Sequence, residues 1–369
     1  MSNNNKRICY IDNLRWMTVS LLIIYHAAIA YNTWGEANYI FFESTKPIAA
    51  LVTFVSLWFM PLMFLLAGAS SRWSLRKRGC RVFIKERFKR LGIPLVFGIL
   101  VIDPVLSFIA DVTHNGYAEG YFAHYGVFFT RFTDLTGYDG GFTLGHFWFL
   151  AVLLIVSLLS LIIIKAVGDV PAGSKKAVIL GTVLAAAAAA ALDVRPFGKQ
   201  IPTYLCVYLL GYYFFSDPRL AERLSRHRRI LTALFLLFSA ANTVLFIFID
   251  GFDTLNTVCW YAASVTSLPA LFAIGHDRLD FSNAFTRSAS GISYIFYIIH
   301  FPAVILCQYL LDRAGMGHTA NFFLTLLITY PVTAGLCHAV DRTRYLRLLF
   351  GSGKKQYTSR QEDKRKERN

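Results

Sequence analysis

The sequence predicts an all-α fold, a polytopic membrane bundle of about ten transmembrane helices. Three observations predict it. Of 369 residues, 55% are hydrophobic and 16% charged, with a mean hydropathy of +0.47; a soluble domain carries about 25% charged residues, so the balance fits lipid as solvent. Apolar runs of roughly 20 residues, the length that crosses a bilayer core, recur along the chain between short polar breaks. The basic residues are sorted by segment: with the N-terminus in the cytoplasm, 31 of the 37 Lys and Arg fall on the inside, as the positive-inside rule requires. The outside holds Lys46, Arg131, Arg195, Lys199 and Arg313. Topology thus accounts for the net charge of +15, which argues against a nucleic-acid partner. We expect a multi-pass protein of a bacterial inner membrane with both termini cytoplasmic.

The expected spans lie near 14–33, 47–70, 91–112, 147–167, 176–192, 200–216, 230–250, 257–275, 290–311 and 320–340. The first opens with Asp12 and Arg15 at its mouth and has no small-residue cleavage site after it, so it reads as a retained helix and not a signal peptide. The second ends in MPLMFLLAGAS. A basic loop at 72–90 separates it from the third, which begins LGIP. The longest outside loop, 113–146, contains His114, His124, Asp134, Asp139 and Gly140-Gly141, enough chain to fold over a pocket mouth. The fourth span opens GHFWFL, and the fifth carries Ala185 to Ala191, small residues that let helices approach closely. The ninth contains YIFYIIHFP at 294–302. One membrane domain thus fills residues 1–350, and 351–369 form a basic tail expected to be disordered. The six cysteines are scattered, without a C-x-x-C pair, so neither a metal site nor a disulfide framework is expected.

Ionisable side chains inside a membrane are costly and mark function. In the first span Arg15 and His26 are eleven residues apart, which on a helix leaves them roughly 20° apart around the axis and about 16 Å apart along it. A cation at the mouth and an imidazole deep on the same face suit a long anionic substrate that enters from the cytosol. The competing reading has Arg15 snorkelling to headgroups and His26 bonding a neighbouring helix. Arg87 and Arg90, three apart on a helix face, offer forked donors that suit phosphate. His146 and Trp148 stand at the outer end of the fourth span, His146 facing the outer mouth of a cavity, and are expected to bind substrate. Tyr297 and His300 share a face of the ninth, a geometry suited to positioning or polarising a substrate group.

Taken in order, Arg15-x10-His26, the arginine pair before LGIP, H-x-W-F-L, and SYIFYIIHFP closely resemble the acyltransferase-3 family of integral membrane acyltransferases, over about residues 9 to 350. IDNLR, MPLMFLLAGAS and the closing RTRYLRLLFGSGK look similar to its glucans biosynthesis protein C branch, succinyltransferases of periplasmic glucans. The resemblance implies that a cytosolic acyl-CoA, acetyl-CoA or succinyl-CoA, delivers its acyl group to a hydroxyl of a glycan or other envelope acceptor on the far side. Acyl-CoA is then a donor substrate and not a resident cofactor. Arg15, Arg87 and Arg90 would hold the CoA phosphates, with Asp12 orienting Arg15, and His26 would act as general base. An acyl-histidine intermediate stays open, as does the oxyanion partner among Tyr297, His300 and Trp148. The rival reading is a secondary transporter of a small anionic solute; the two halves show none of the internal repeat that such folds often carry.

Overall fold

The computed structural model describes residues 8–170, 174–192, 195 and 198–351; the tail expected beyond residue 351 lies outside them. Among the described residues the regular structure is helical throughout, with no strand. Helix α1 runs Cys9–Ile29, α2 Lys46–Ser56 and α3 Phe59–Arg87; α4 Ile93–Phe97 and α5 Asp103–His114 follow, joined by π-helical turns at Phe88–Gly92 and Gly98–Ile102. The short α6 Tyr121–Thr130 lies in the expected outer loop. Then come α7 Trp148–Val167, α8 Lys175–Ala191, α9 Ile201–Leu210 with a π turn to Phe215, α10 Pro218–Arg226 and α11 Arg228–Ile247. The chain closes with α12 Asp253–Arg278, α13 Ala284–Arg313, α14 His318–Arg342 and α15 Arg344–Leu349.

Among the described residues six helical stretches are long and apolar enough to cross a membrane: 46–114, 145–167, 228–247, 253–278, 284–313 and 318–342. Shorter apolar helices occupy 178–189 and 201–215. The first stretch holds both the second and third expected spans, and α1 supplies the first. Each of the ten expected segments therefore falls on a helix.

The basic segment 72–90 is corrected from a loop to a helical hairpin. Helix continues on both sides of Gly79, whose φ of 70° and ψ of 169° reverse the chain; glycine adopts that conformation without a Cβ penalty. The arms meet in antiparallel register, Arg87 donating to the Ser71 hydroxyl and Arg78 to Glu86. Charge alone misled here: a run of Lys and Arg with one glycine breaks the apolar pattern but not the helix, because these residues are good helix formers.

Close backbone contact fixes α3 against α9. A Cβ on Gly68 would lie 2.0 Å from the Tyr208 carbonyl oxygen, and one on Gly211 would lie 2.2 Å from that of Leu65. Such small-residue crossings drive helix association where lipid offers no hydrophobic gain. At the basic end of the bundle α15 folds back, with Phe350 on Phe97 at 5.3 Å and Gly351 against the Arg90 carbonyl. At the opposite end Asp111 on α5 gathers the outer segment, accepting from Asn115 at 2.6 Å, His124 at 3.1 Å and Arg131 at 3.3 Å.

Candidate active site

At the basic end, two adjacent serines near the middle of α3 collect the arginines. Ser70 and Ser71 donate to the carbonyls of Leu66 and Ala67 on their own helix, which leaves their oxygens as acceptors. Arg15 donates to Ser70 at 2.9 Å and to Asp12 at 3.2 Å. Arg87 donates to Ser71, which also accepts from the Tyr208 hydroxyl at 2.6 Å. Arg15 and Arg87, 72 residues apart in the chain, thus arrive at neighbouring hydroxyls.

Arg90 differs from the expected common face. The π turn at Phe88–Gly92 changes the period between the two arginines. Arg87 turns inward over the Phe83 ring at 4.7 Å, whereas Arg90 is exposed and its carbonyl accepts from the Tyr294 hydroxyl. Both guanidinium charges still act on Tyr294, so the pair flanks one tyrosine although it does not share one α-helical face.

Helix α1 is unbroken from Cys9 to Ile29, so Arg15, Val19, Leu22 and His26 form one stripe. Thr18, Val19 and Leu22 of that helix line an apolar slot with Phe59, Met60, Met63, Phe149 and Tyr297. Its cavity volume is about 10 Å³, room for about one water, so a longer guest enters only as the lining side chains part.

Beyond the slot three histidines from three helical segments converge. The ring centroids of His26 and His300 lie 5.2 Å apart, and those of His146 and His300 lie 5.3 Å apart. His26 packs on Phe301 at 4.1 Å and on the edge of Tyr25 at 5.2 Å. His300 Nδ1 meets the Tyr297 carbonyl at 2.6 Å and His146 Nε2 meets the Ile298 carbonyl at 3.0 Å. A carbonyl only accepts, so each of those nitrogens carries a hydrogen; the opposite nitrogen of each ring is buried without a partner. His26, partly buried, makes no hydrogen bond among the described residues, which argues against the reading of it as a helix-bridging core histidine.

Local sequence fixes this geometry. Gly98, in the second π turn, leaves room for the Phe147 ring, which a Cβ would meet at 2.4 Å. Gly145 has a φ of +43° and leads into the tight turn carrying His146. His146 is therefore corrected from an outer-mouth residue to a buried member of the cluster, 4% exposed. Tyr297, expected to polarise a substrate group, donates its hydroxyl to the His146 carbonyl; its proton is committed to holding that turn. Trp148 stands further out, with Lys199 4.7 Å above its ring and Tyr204 at 6.0 Å. Burial lowers the Lys199 ammonium below its ordinary range, and the charge of Glu36 opposes that shift.

The acyltransferase-domain family model, Acyl_transf_3, matches residues 8–341. The chain belongs to this family. It is an integral membrane acyltransferase, and the stripe, slot and histidine cluster all lie within the matched residues. No curated protein and no solved structure matches it.

Sequence reasoning missed Ser70, Ser71 and Asp103. The serines sit in an unremarkable small-residue run, and only the hairpin brings Arg87 to them. Asp103 is wholly buried beside Gly145, both carboxyl oxygens lacking partners; an acidic residue in an apolar span was the available signal.

Among the described residues no cluster of His, Cys, Asp or Glu is arranged to hold a metal.

Proposed function

We propose that the protein transfers an acyl group, acetyl or succinyl, from cytosolic acyl-CoA to a hydroxyl of an extracytoplasmic glycan, as an inner-membrane O-acyltransferase. The observation that carries this reading is the His26 imidazole: it makes no hydrogen bond among the described residues and stands at the deep end of the stripe whose mouth is Arg15. Arg15, Arg87 and Arg90 would take the CoA phosphates, Arg15 and Arg87 turning from their serine hydroxyls to the anion. The thin pantetheine arm would follow the apolar slot and bring the thioester carbonyl to His26. His26 accepts the proton of the acceptor hydroxyl as its oxygen attacks that carbonyl. The C–S bond then breaks, and the thiolate takes the proton from His26. The glucan succinyltransferase branch, on which the similarity of the MPLMFLLAGAS and RTRYLRLLFGSGK segments bears, makes succinyl-CoA and a glucan the first pair to try.

The test uses purified protein in proteoliposomes with acyl-labelled acetyl-CoA or succinyl-CoA on one side and a glucan on the other. Label on glucan hydroxyls, with free CoA remaining on the donor side, is the expected result. Uptake of an anionic solute without acyl transfer would replace the proposal with the transporter reading.

A further inference from the structure

Outward from His26, polar tips of aromatic side chains meet without partners of their own. Tyr25 abuts His26, and its hydroxyl lies within electrostatic reach of Glu36, Tyr138 and Tyr204. Tyr204 lies nearly parallel to Trp148, at 30° between planes, and stacks on Phe64 at 4.3 Å. Lys199 stands over Trp148 and also feels the Glu36 charge. The hydroxyls of Tyr25, Tyr138 and Tyr204 and the indole N–H of Trp148 make no hydrogen bond among the described residues. All four side chains are only partly buried, as is Lys199, and Glu36 is exposed. Five separate segments supply these six residues: α1, the 30–45 loop, the 131–147 segment, the start of α7, and the first turn of α9 with the residues leading into it.

Buried or half-buried polar groups normally find partners. Four such tips gathered outward of one histidine, with aromatic rings among them and one group of each charge, match a ligand with apolar C–H faces and many hydroxyls. We propose that Tyr25, Glu36, Tyr138, Trp148, Lys199 and Tyr204 form the acceptor subsite, holding a sugar ring on the Trp148 and Tyr204 faces with its hydroxyls on the surrounding tips. The proposal rests on the acyl-transfer reading for its orientation: Tyr25, the innermost member, would steer one sugar hydroxyl toward His26. An interfacial aromatic belt is the alternative. It does not require such tips to gather from separate segments beside a histidine, and it predicts no sugar affinity.

Binding of a glucose trisaccharide to the full chain in nanodiscs, measured by calorimetry without acyl-CoA, tests the subsite. Saturable binding is expected in the wild type, weakened about 10-fold by Tyr25→Phe and by at least that much by Tyr204→Ala, the loss corresponding to one hydrogen bond or one stacking face. Tyr25→Phe keeps the ring packing, so the comparison survives if Tyr204→Ala folds poorly. No saturable binding to the wild type, or wild-type affinity in both variants, overturns the proposal. CoA release from acyl-CoA is read in parallel. A protein that binds the sugar in this manner but never releases CoA keeps the subsite and refutes acyl transfer; one that acylates the sugar with unchanged affinity in both variants does the reverse.

Discussion

At the residue scale the sharpest expectation attaches to His26. It sits about 16 Å beyond Arg15 on the same helix, too far to touch phosphates held at the mouth, so its loss is expected to cost turnover and not donor affinity. General base catalysis contributes about 100- to 10,000-fold. His26→Gln should therefore cut transfer by at least about 100-fold while acyl-CoA binding, measured by equilibrium dialysis, stays unchanged; retention of a tenth of wild-type transfer would move the base to His300. The mouth gives the complementary outcome. Arg87→Ala combined with Arg90→Ala removes charge-assisted bonds worth about 1.5–3 kcal/mol each, so the apparent affinity for acyl-CoA should fall at least 10-fold with little change in the rate at saturation. The relation between Arg15 and His26 was legible in the sequence because both lie on one uninterrupted helix, where the 3.6-residue period fixes their faces. The meeting of His26 with His146 and His300 was not, since it depends on how three helical segments pack. The same holds for Ser70 and Ser71, whose role appears only when α1 and the returning arm of the hairpin reach them.

At the element scale, the crossing of α3 and α9 sets the register of Ser71 beneath Tyr208. Gly68→Ala would drive a methyl into the Tyr208 carbonyl, and because the obstacle is backbone, the helices must separate. Overpacking of this kind costs about 1–3 kcal/mol or more, which should appear as a lower Tm in detergent and as weaker acyl-CoA binding. The outer segment is tied to Asp111 by His124, and burial pushes the His124 imidazole below its ordinary value of 6.5, opposed by the Asp111 charge and hydrogen bond. Arg131, the Gly140 backbone and the Tyr117 and Phe108 rings also face it. With a folded pKa below the unfolded one, the open form binds more protons once the pH falls under about 6.5. The contribution of His124 to closure is thus fully present above that value and fades below it. Amide protection factors in 121–131, taken relative to the intrinsic exchange rate at each pH, should fall between pH 7 and 5, and His124→Gln should flatten that dependence. This tethering was hidden in the sequence, where Asp111 read as the end of a span and His124 as one of several loop histidines. Gly79 was equally uninformative alone: it punctuates a helix pair that the charge pattern presents as a loop.

At the scale of the whole molecule, the ten apolar segments and their alternating flanks were the most legible feature, because lipid leaves the backbone no choice but helix. The count and the 31-to-5 partition of Lys and Arg predict both termini on one side. A reporter fused after residue 369 should be active only in its cytoplasmic form, and periplasmic activity would overturn the topology. Finally, the slot between Arg15 and His26 has a bearing on the energy supply of the cell. Its walls are methionine, leucine, valine and aromatic side chains and Thr18, whose hydroxyl is turned to the Leu14 carbonyl, surfaces that disfavour water and strip ions of hydration. On the proposed route, a carbon chain passes where a hydrated proton or sodium ion does not, and the bulky nucleotide stays behind. Such a membrane protein can export acyl groups all day without discharging the proton gradient or draining the coenzyme pool.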